Sequence, residues 1–169
     1  MGIQRPSLYA AYGDKKGLFE AALRKYTSAH AAYIRSILQG HSSVKEAFRD
    51  LFKNIAADEC GNNPAWGCFC INSMVELAPH DERFEILTRE HQMYLSATFQ
   101  ELLERGQRSG ELGANVDAKR LAQTLVVSLI GLTVILKSRP QQSFVDSSIE
   151  GIFDIALGSE EGLSQKVIK

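Results

Sequence analysis

The stretch LAQTLVVSLIGLTVIL, from Leu121 to Leu136, decides the fold class. Wound into a helix it is apolar on nearly all sides, interrupted only by Gln123, Thr124, Ser128 and Thr133. It is shorter than the ~20 residues of a membrane-spanning helix. A helix of this composition must be covered on more than one face, which neighbouring helices of a bundle supply. Asp117 is a suitable N-cap, so the helix is predicted over Ala118 to Lys137.

Outward from this helix, apolar residues recur at three- and four-residue steps. No run of alternating β-branched residues bounded by tight turns occurs. The chain is therefore all-α. After Pro140 a last helix is predicted over Ser143 to Leu157, with Val145, Ile149, Ile152, Phe153 and Ala156 on one side. Upstream, Asp81 begins a long helix over Glu82 to Arg108, carrying Phe84, Leu87, His91, Tyr94, Thr98 and Leu102 as a stripe. Gly106, Gly110 and Gly113 close it. A helix over Ala65 to Ala78, stopped by Pro79, places Trp66, Cys70, Met74 and Leu77 on one face. Before it, a helix from Val44 shows Phe48, Leu51, Phe52 and Ile55 and ends ahead of Gly61-Asn62-Asn63-Pro64. Ser43 to Glu46 matches a capping box, in which serine and glutamate satisfy each other's free amides. The first long helix is predicted over Lys15 to Leu38, capped by Asp14 and ended by Gly40 in a left-handed conformation.

The chain has 169 residues, 44% of them hydrophobic, which suffices for one well-buried domain. Its 19 basic and 20 acidic residues leave a net charge of -1, so any DNA contact must come from a local patch. Three cysteines, Cys60, Cys68 and Cys70, without a secretory leader point to a reducing, cytoplasmic setting and no membrane partner. His30, His41, His80 and His91 are scattered, and neither a nucleophile motif nor a phosphate-cradling glycine loop occurs. No catalytic residue and no cofactor is expected. Cys68-Phe69-Cys70 lacks the two-residue gap of metal and redox pairs, and residues two apart on a helix point to different sides. No metal site is expected.

The opening MGIQRPSLYAAYGDKKGLF, Met1 to Phe19, resembles the second half of the DNA-binding domain of TetR-family regulators. That pattern has a turn, then a short recognition helix with a leucine-tyrosine pair and a second aromatic. A small residue, a capping residue, a lysine and a leucine-phenylalanine pair follow. Leu8-Tyr9, Tyr12, Gly13, Asp14, Lys15 and Leu18-Phe19 are the counterparts here. A looser match runs through Gly67 to Pro79 and Arg105 to Leu112, so the resemblance covers most of the chain, though only the first nineteen residues are specific. It implies a TetR-like helical bundle with a partial N-terminal helix-turn-helix. Gln4, Arg5, Ser7, Tyr9, Tyr12 and Lys15 would be its DNA-contact positions. Tyr9 and Tyr12 packing against the first long helix, with Lys15 solvated, is the alternative.

Residues 1–16 are then a helix-turn-helix remnant with its recognition helix at about 4–12. Residues 17–157 form the ligand-binding and dimerisation domain, and 158–169 a tail. The helix that crosses the DNA backbone in such a motif has no counterpart in the sequence, which predicts weak or absent operator affinity for the chain by itself. Met1 is either an internal methionine or a genuine start.

A ligand pocket would lie among the second, third, long and apolar helices. Phe48, Phe52, Trp66, Cys70, Met74, His91, Tyr94 and Ser128 are its candidate lining for a small apolar ligand, although plain core is made of the same residue types. The apolar helix, with Gly131 permitting close approach, and the last helix would pair with their copies in a homodimer. Leu125, Leu129, Leu132, Leu136, Ile149, Ile152 and Phe153 are the expected interface; internal core helices are the alternative. The function implied is a ligand-responsive transcriptional regulator, with operator DNA as partner of the complete form. The other reading is a helical sensing or dimerisation module without DNA binding of its own.

Overall fold

The computed structural model describes residues 10–61 and 67–157, the side chains of residues 58–61 excepted. Among the described residues, six helices follow residues 10–12, which are also helical: α1 (Lys15–Gln39), α2 (Val44–Gly61), α3 (Phe69–Glu76), α4 (Glu82–Ser109), α5 (Ala118–Leu136) and α6 (Gln142–Leu157). No strand occurs among the described residues, in keeping with the all-α reading.

The helix starts follow capping chemistry. Asp14 Oδ1 accepts from the Gly17 amide at 2.7 Å, Asp81 Oδ1 from Arg83 at 3.1 Å and Asp117 Oδ1 from Arg120 at 3.0 Å. Before α1 the chain turns at Gly13, whose φ of +79° favours glycine. The turn presses the Tyr12 carbonyl against α1. A Cβ at Gly17 would stand 2.1 Å from that oxygen, so only glycine fits there. Gly110 ends α4 in the left-handed conformation, at φ +80°. Gly40, expected to do the same, keeps a right-handed φ of -71°, its amide donating to the Ile37 carbonyl at 3.0 Å.

The start of α2 departs from the capping box. Ser43 Oγ accepts from the Glu46 amide at 3.2 Å. The carboxylate that serves α2, however, is Glu111, reaching across from the loop after α4. It accepts from the Ser43 hydroxyl at 2.7 Å, the Val44 amide at 2.8 Å and the Lys45 amide at 2.9 Å. Burial would raise its pKa; the Lys45 and Val44 amides and the Ser43 hydroxyl outweigh that and leave the carboxyl below its ordinary range. α3 is shorter than predicted because Cys68, the residue before it, is extended.

α5 packs most extensively on α4, while α2 touches α1, α4, α5 and α6. Phe48, Phe52 and Phe99 are wholly buried in the main core. Phe48 meets Phe99 edge-on at 5.0 Å, and Phe52 meets Phe153 at 5.1 Å. A second cluster forms around Leu23, Cys68, Cys70, Phe84 and Leu87, nearer the start of α1.

The burial corrects the expected interface. Leu125, Leu129, Leu132, Leu136, Ile149 and Phe153 lie in this protomer's own core, each 5% exposed or less. They form the stripes of α5 and α6 that face the rest of the bundle, so a partner cannot reach them. Of the expected set only Ile152 is half-buried, in a shallow groove between α5 and α6 with Leu121, Thr124 and Ser128. The outward faces carry Val127, Val134, Ile135, Phe144 and Ile155, exposed by 69%, 45%, 43%, 52% and 90%. By length and composition α5 could cross a membrane, contrary to the expectation from the shorter stretch, but its inward face is occupied by the bundle.

Candidate functional site

A small cavity of about 40 Å³ lies where five helices meet. His30 enters it from α1, Ile55 from α2, and Cys70, Ile71 and Met74 from α3, with Cys68 just ahead of that helix. His91, Gln92 and Leu95 of α4 and Leu129, Ile130 and Thr133 of α5 complete it. Ligand pockets commonly enclose 300–1,000 Å³, so a ligand of ordinary size would have to spread these helices.

The walls are apolar and the polar groups are tied to one another. His30 Nδ1 and His91 Nε2 are 3.1 Å apart. The Tyr26 ring stacks on His30 at 5.7 Å, and its hydroxyl donates to Cys68 Sγ at 3.4 Å. Gln92 Nε2 donates to Met74 Sδ at 2.8 Å, and the Thr133 hydroxyl to the Leu129 carbonyl at 2.9 Å. In this histidine contact one ring donates and the other accepts, the tautomers deciding which. Burial lowers the pKa of His30. Burial, and then the proximity of His30, pushes His91 down to about 4. Burial, with Cys68 beside it, pushes the Cys70 thiol up to about 12, so it is protonated at neutral pH and a poor nucleophile.

The predicted lining divides. Cys70, Met74 and His91 do face the cavity. Phe48 and Phe52 are core residues instead, held in ring contacts away from it. Tyr94 borders a shallow outer groove between α1 and α4, with the Arg35 guanidinium 5.5 Å from its ring centre. Ser128 lies in the α5–α6 groove, and Trp66 is outside the described residues. Sequence reasoning missed His30, Cys68, Gln92 and Thr133. The histidines taken as scattered include a pair in contact, 61 positions apart, joined only by the packing of α1 on α4. Cys68 and Cys70 line the same cavity because α3 begins at Phe69, so helical spacing does not govern the first thiol. Among the described residues, no three His, Cys, Asp or Glu side chains are arranged to hold a metal ion.

At the other end of α1, Tyr12 and Lys15 are exposed on either side of the Gly13 turn. Gln4, Arg5, Ser7 and Tyr9 lie outside the described residues. Lys16 Nζ bridges to Asp81 Oδ2 at 3.0 Å, tying the first turn of α1 to the cap of α4. Hydrogen bonds from Arg83 and then Lys16 hold the Asp81 carboxyl well below the usual carboxylate range.

The helical bundle, with a small cavity in its core and its first long helix leading out of a tight turn, is an all-α architecture shared with known regulators. The model of the tetracyclin repressor-like C-terminal domain matches residues 44–146. The chain is 36% identical over 138 residues to the uncharacterised HTH-type transcriptional regulator YezE of Bacillus subtilis (strain 168), covering 81% of this chain and 71% of that protein. It is 29% identical over 134 residues to the HTH-type transcriptional repressor ComR of Escherichia coli (strain K12), covering 79% of this chain and 64% of that one. Among solved structures, a cysteine mutant of the TetR family regulator CifR, complexed with 26-bp operator DNA, superposes with a TM-score of 0.79 at 30% identity. The match covers 89% of this chain and 78% of that one. A TetR family regulator from Cytophaga hutchinsonii shares the fold, with a TM-score of 0.78 at 14% identity over 91% of this chain and 77% of its own. The chain belongs to the TetR family of transcriptional regulators.

Proposed function

We propose that this chain is the sensing and pairing part of a ligand-responsive repressor. A small apolar molecule occupies the five-helix cavity and thereby resets the affinity of the N-terminal segment for operator DNA. The observation that carries this reading is the contact between His30 and His91. The cavity's central polar contact has one partner on α1, the helix that begins at Lys15, the last of the candidate DNA-contact positions Gln4, Arg5, Ser7, Tyr9, Tyr12 and Lys15. A ligand that enlarges the cavity separates those rings and moves α1 against α4. That supplies the differential contact any ligand-driven shift requires.

Repression is the sense given by the name of the E. coli relative ComR. The working unit is a homodimer joined through the outward faces of α5 and α6, where Val127, Val134, Ile135, Phe144 and Ile155 are exposed and Gly131 and Gly151 leave open space for close approach. Access to operator DNA places the protein in the cytoplasm. Binding rather than catalysis is its chemistry.

Filling the cavity tests the proposal. A compound that raises the melting temperature of the native chain in a thermal-shift screen should lose that effect in Thr133→Trp and keep it in Val75→Ala, whose side chain is exposed on α3. The same compound should weaken promoter-fragment binding in fluorescence anisotropy with the complete protein. Equal stabilisation of both variants would remove the cavity from the account, and unchanged DNA affinity would remove the coupling.

A further inference from the structure

The described arginines sort by their partners. Arg24, Arg49, Arg83, Arg89 and Arg120 each pair with a carboxylate, respectively Glu20, Glu150, Asp81, Glu85 and Asp117. Arg35, Arg105, Arg108 and Arg139 have no such partner among the described residues. The first three of these line one cleft of about 110 Å³ between the C-terminal halves of α1 and α4, outside the core cavity. Its only acidic lining residue is Glu101, so three guanidinium charges face one carboxylate.

Two of the guanidiniums are already held in place. Arg105 Nη2 donates to the His41 carbonyl at 3.0 Å, which leaves its remaining N–H groups to others. Arg35 lies over the Tyr94 ring, 5.5 Å from its centre. Leu38 and Leu102 form a buried floor, and Gln39 adds an amide at the rim. Guanidinium forks match the oxygens of phosphate and carboxylate, and an apolar floor strengthens the attraction by excluding water. Cations near helix C-termini also complement the carbonyl ends of α1 and α4, which explains their presence but not their convergence on one cleft.

We propose that the Arg35–Arg105–Arg108 cleft binds a compact, doubly charged oxyanion of phosphate size, as an effector site separate from the core cavity. Its occupant neutralises the excess charge and ties α1 to α4 at the end of the bundle away from the Gly13 turn.

Inorganic phosphate is the probe, and malonate tests whether charge alone suffices. Thermal unfolding and isothermal titration are run against sodium chloride at matched ionic strength. Phosphate should raise the melting temperature of the native chain saturably. Arg105→Gln/Arg108→Gln should weaken its binding about tenfold or more, the effect of losing a charge-assisted hydrogen bond. Arg35→Gln, at an exposed position, provides a second reading should the double variant not fold. Arg89→Gln, on α4 but paired with Glu85, should bind as the native chain does, as should Thr133→Trp. A malonate response that also needs the three arginines supports recognition of charge, and its absence supports recognition of phosphate shape. No saturable phosphate effect, or the same effect in Arg105→Gln/Arg108→Gln and in the native chain, overturns the proposal.

Discussion

His30 Nδ1 and His91 Nε2, 3.1 Å apart, join α1 to α4 through a side-chain contact inside the bundle. Among the described residues, the titratable groups around them are Tyr26 on α1, Cys68 just ahead of α3 and Cys70 on it; α2 and α5 contribute Ile55, Leu129, Ile130 and Thr133 to the same cavity. Among the described residues no carboxylate lines this cavity to welcome a second proton.

That contact sets a pH dependence. Both histidines have lowered folded-state pKa values, His91 reaching about 4, against 6.5 for an ordinary histidine. Between these values the unfolded chain binds more protons than the folded one, so stability is full above pH 6.5 and falls as the pH drops. From pH 7 to pH 5, where most carboxylates are still ionised, the loss should be about 1–2 kcal/mol. Urea unfolding at the two pH values measures it, and His30→Gln/His91→Gln should abolish most of the difference. The same slope in that variant would assign it to other groups.

Glu111 supports a second prediction, because one carboxylate serves the Ser43 hydroxyl and the Val44 and Lys45 amides. Glu111→Ala should lower stability by about 2 kcal/mol, the upper range for a lost cap. Glu46→Ala, at the position a capping box would use, should change it by less than about 0.5 kcal/mol. Equal effects from the two would restore the local box.

Phe52 was a candidate ligand contact and is instead wholly buried against Phe153. Phe52→Ala should cost about 3–5 kcal/mol as a core truncation. Val75→Ala, on the exposed side of α3, should cost almost nothing by the same denaturant assay.

Helix order and the three aspartate caps were legible in the sequence because periodicity and capping are local. Asp14, Asp81 and Asp117 each meet an amide two or three residues away. What depended on distance in the chain was not legible. Glu111 displaces Glu46 from a role that a local motif assigns, and His30 finds His91 only once α1 lies on α4. Cys70, Met74 and His91 could be placed at the cavity from their helix faces. Phe48 and Phe52 could not be separated from them, since an aromatic stripe is written alike whether it lines a space or fills one. α5 posed the sharpest ambiguity. Being apolar all round, it carries two stripes, and composition does not say which one the protomer keeps for itself.

The resolution of that ambiguity is itself testable. Leu129 faces the core and Val127 faces outward at 69% exposure, although they are two residues apart on one helix. If the outward face pairs with its copy, Val127→Glu/Ile155→Glu places four charges in an apolar dimer interface and should convert dimer to monomer in sedimentation experiments. Its far-UV circular dichroism should remain helical, since neither side chain supports the protomer's own core. Leu129→Ala should act the other way, costing about 2–5 kcal/mol of stability while leaving the outward surface intact. Because dimerisation adds concentration-dependent stability, the native melting temperature should rise with protein concentration and that of Val127→Glu/Ile155→Glu should not. A charged variant that still sediments as a dimer would mean that the copies meet elsewhere, leaving the exposed valines and isoleucines of α5 and α6 without a partner.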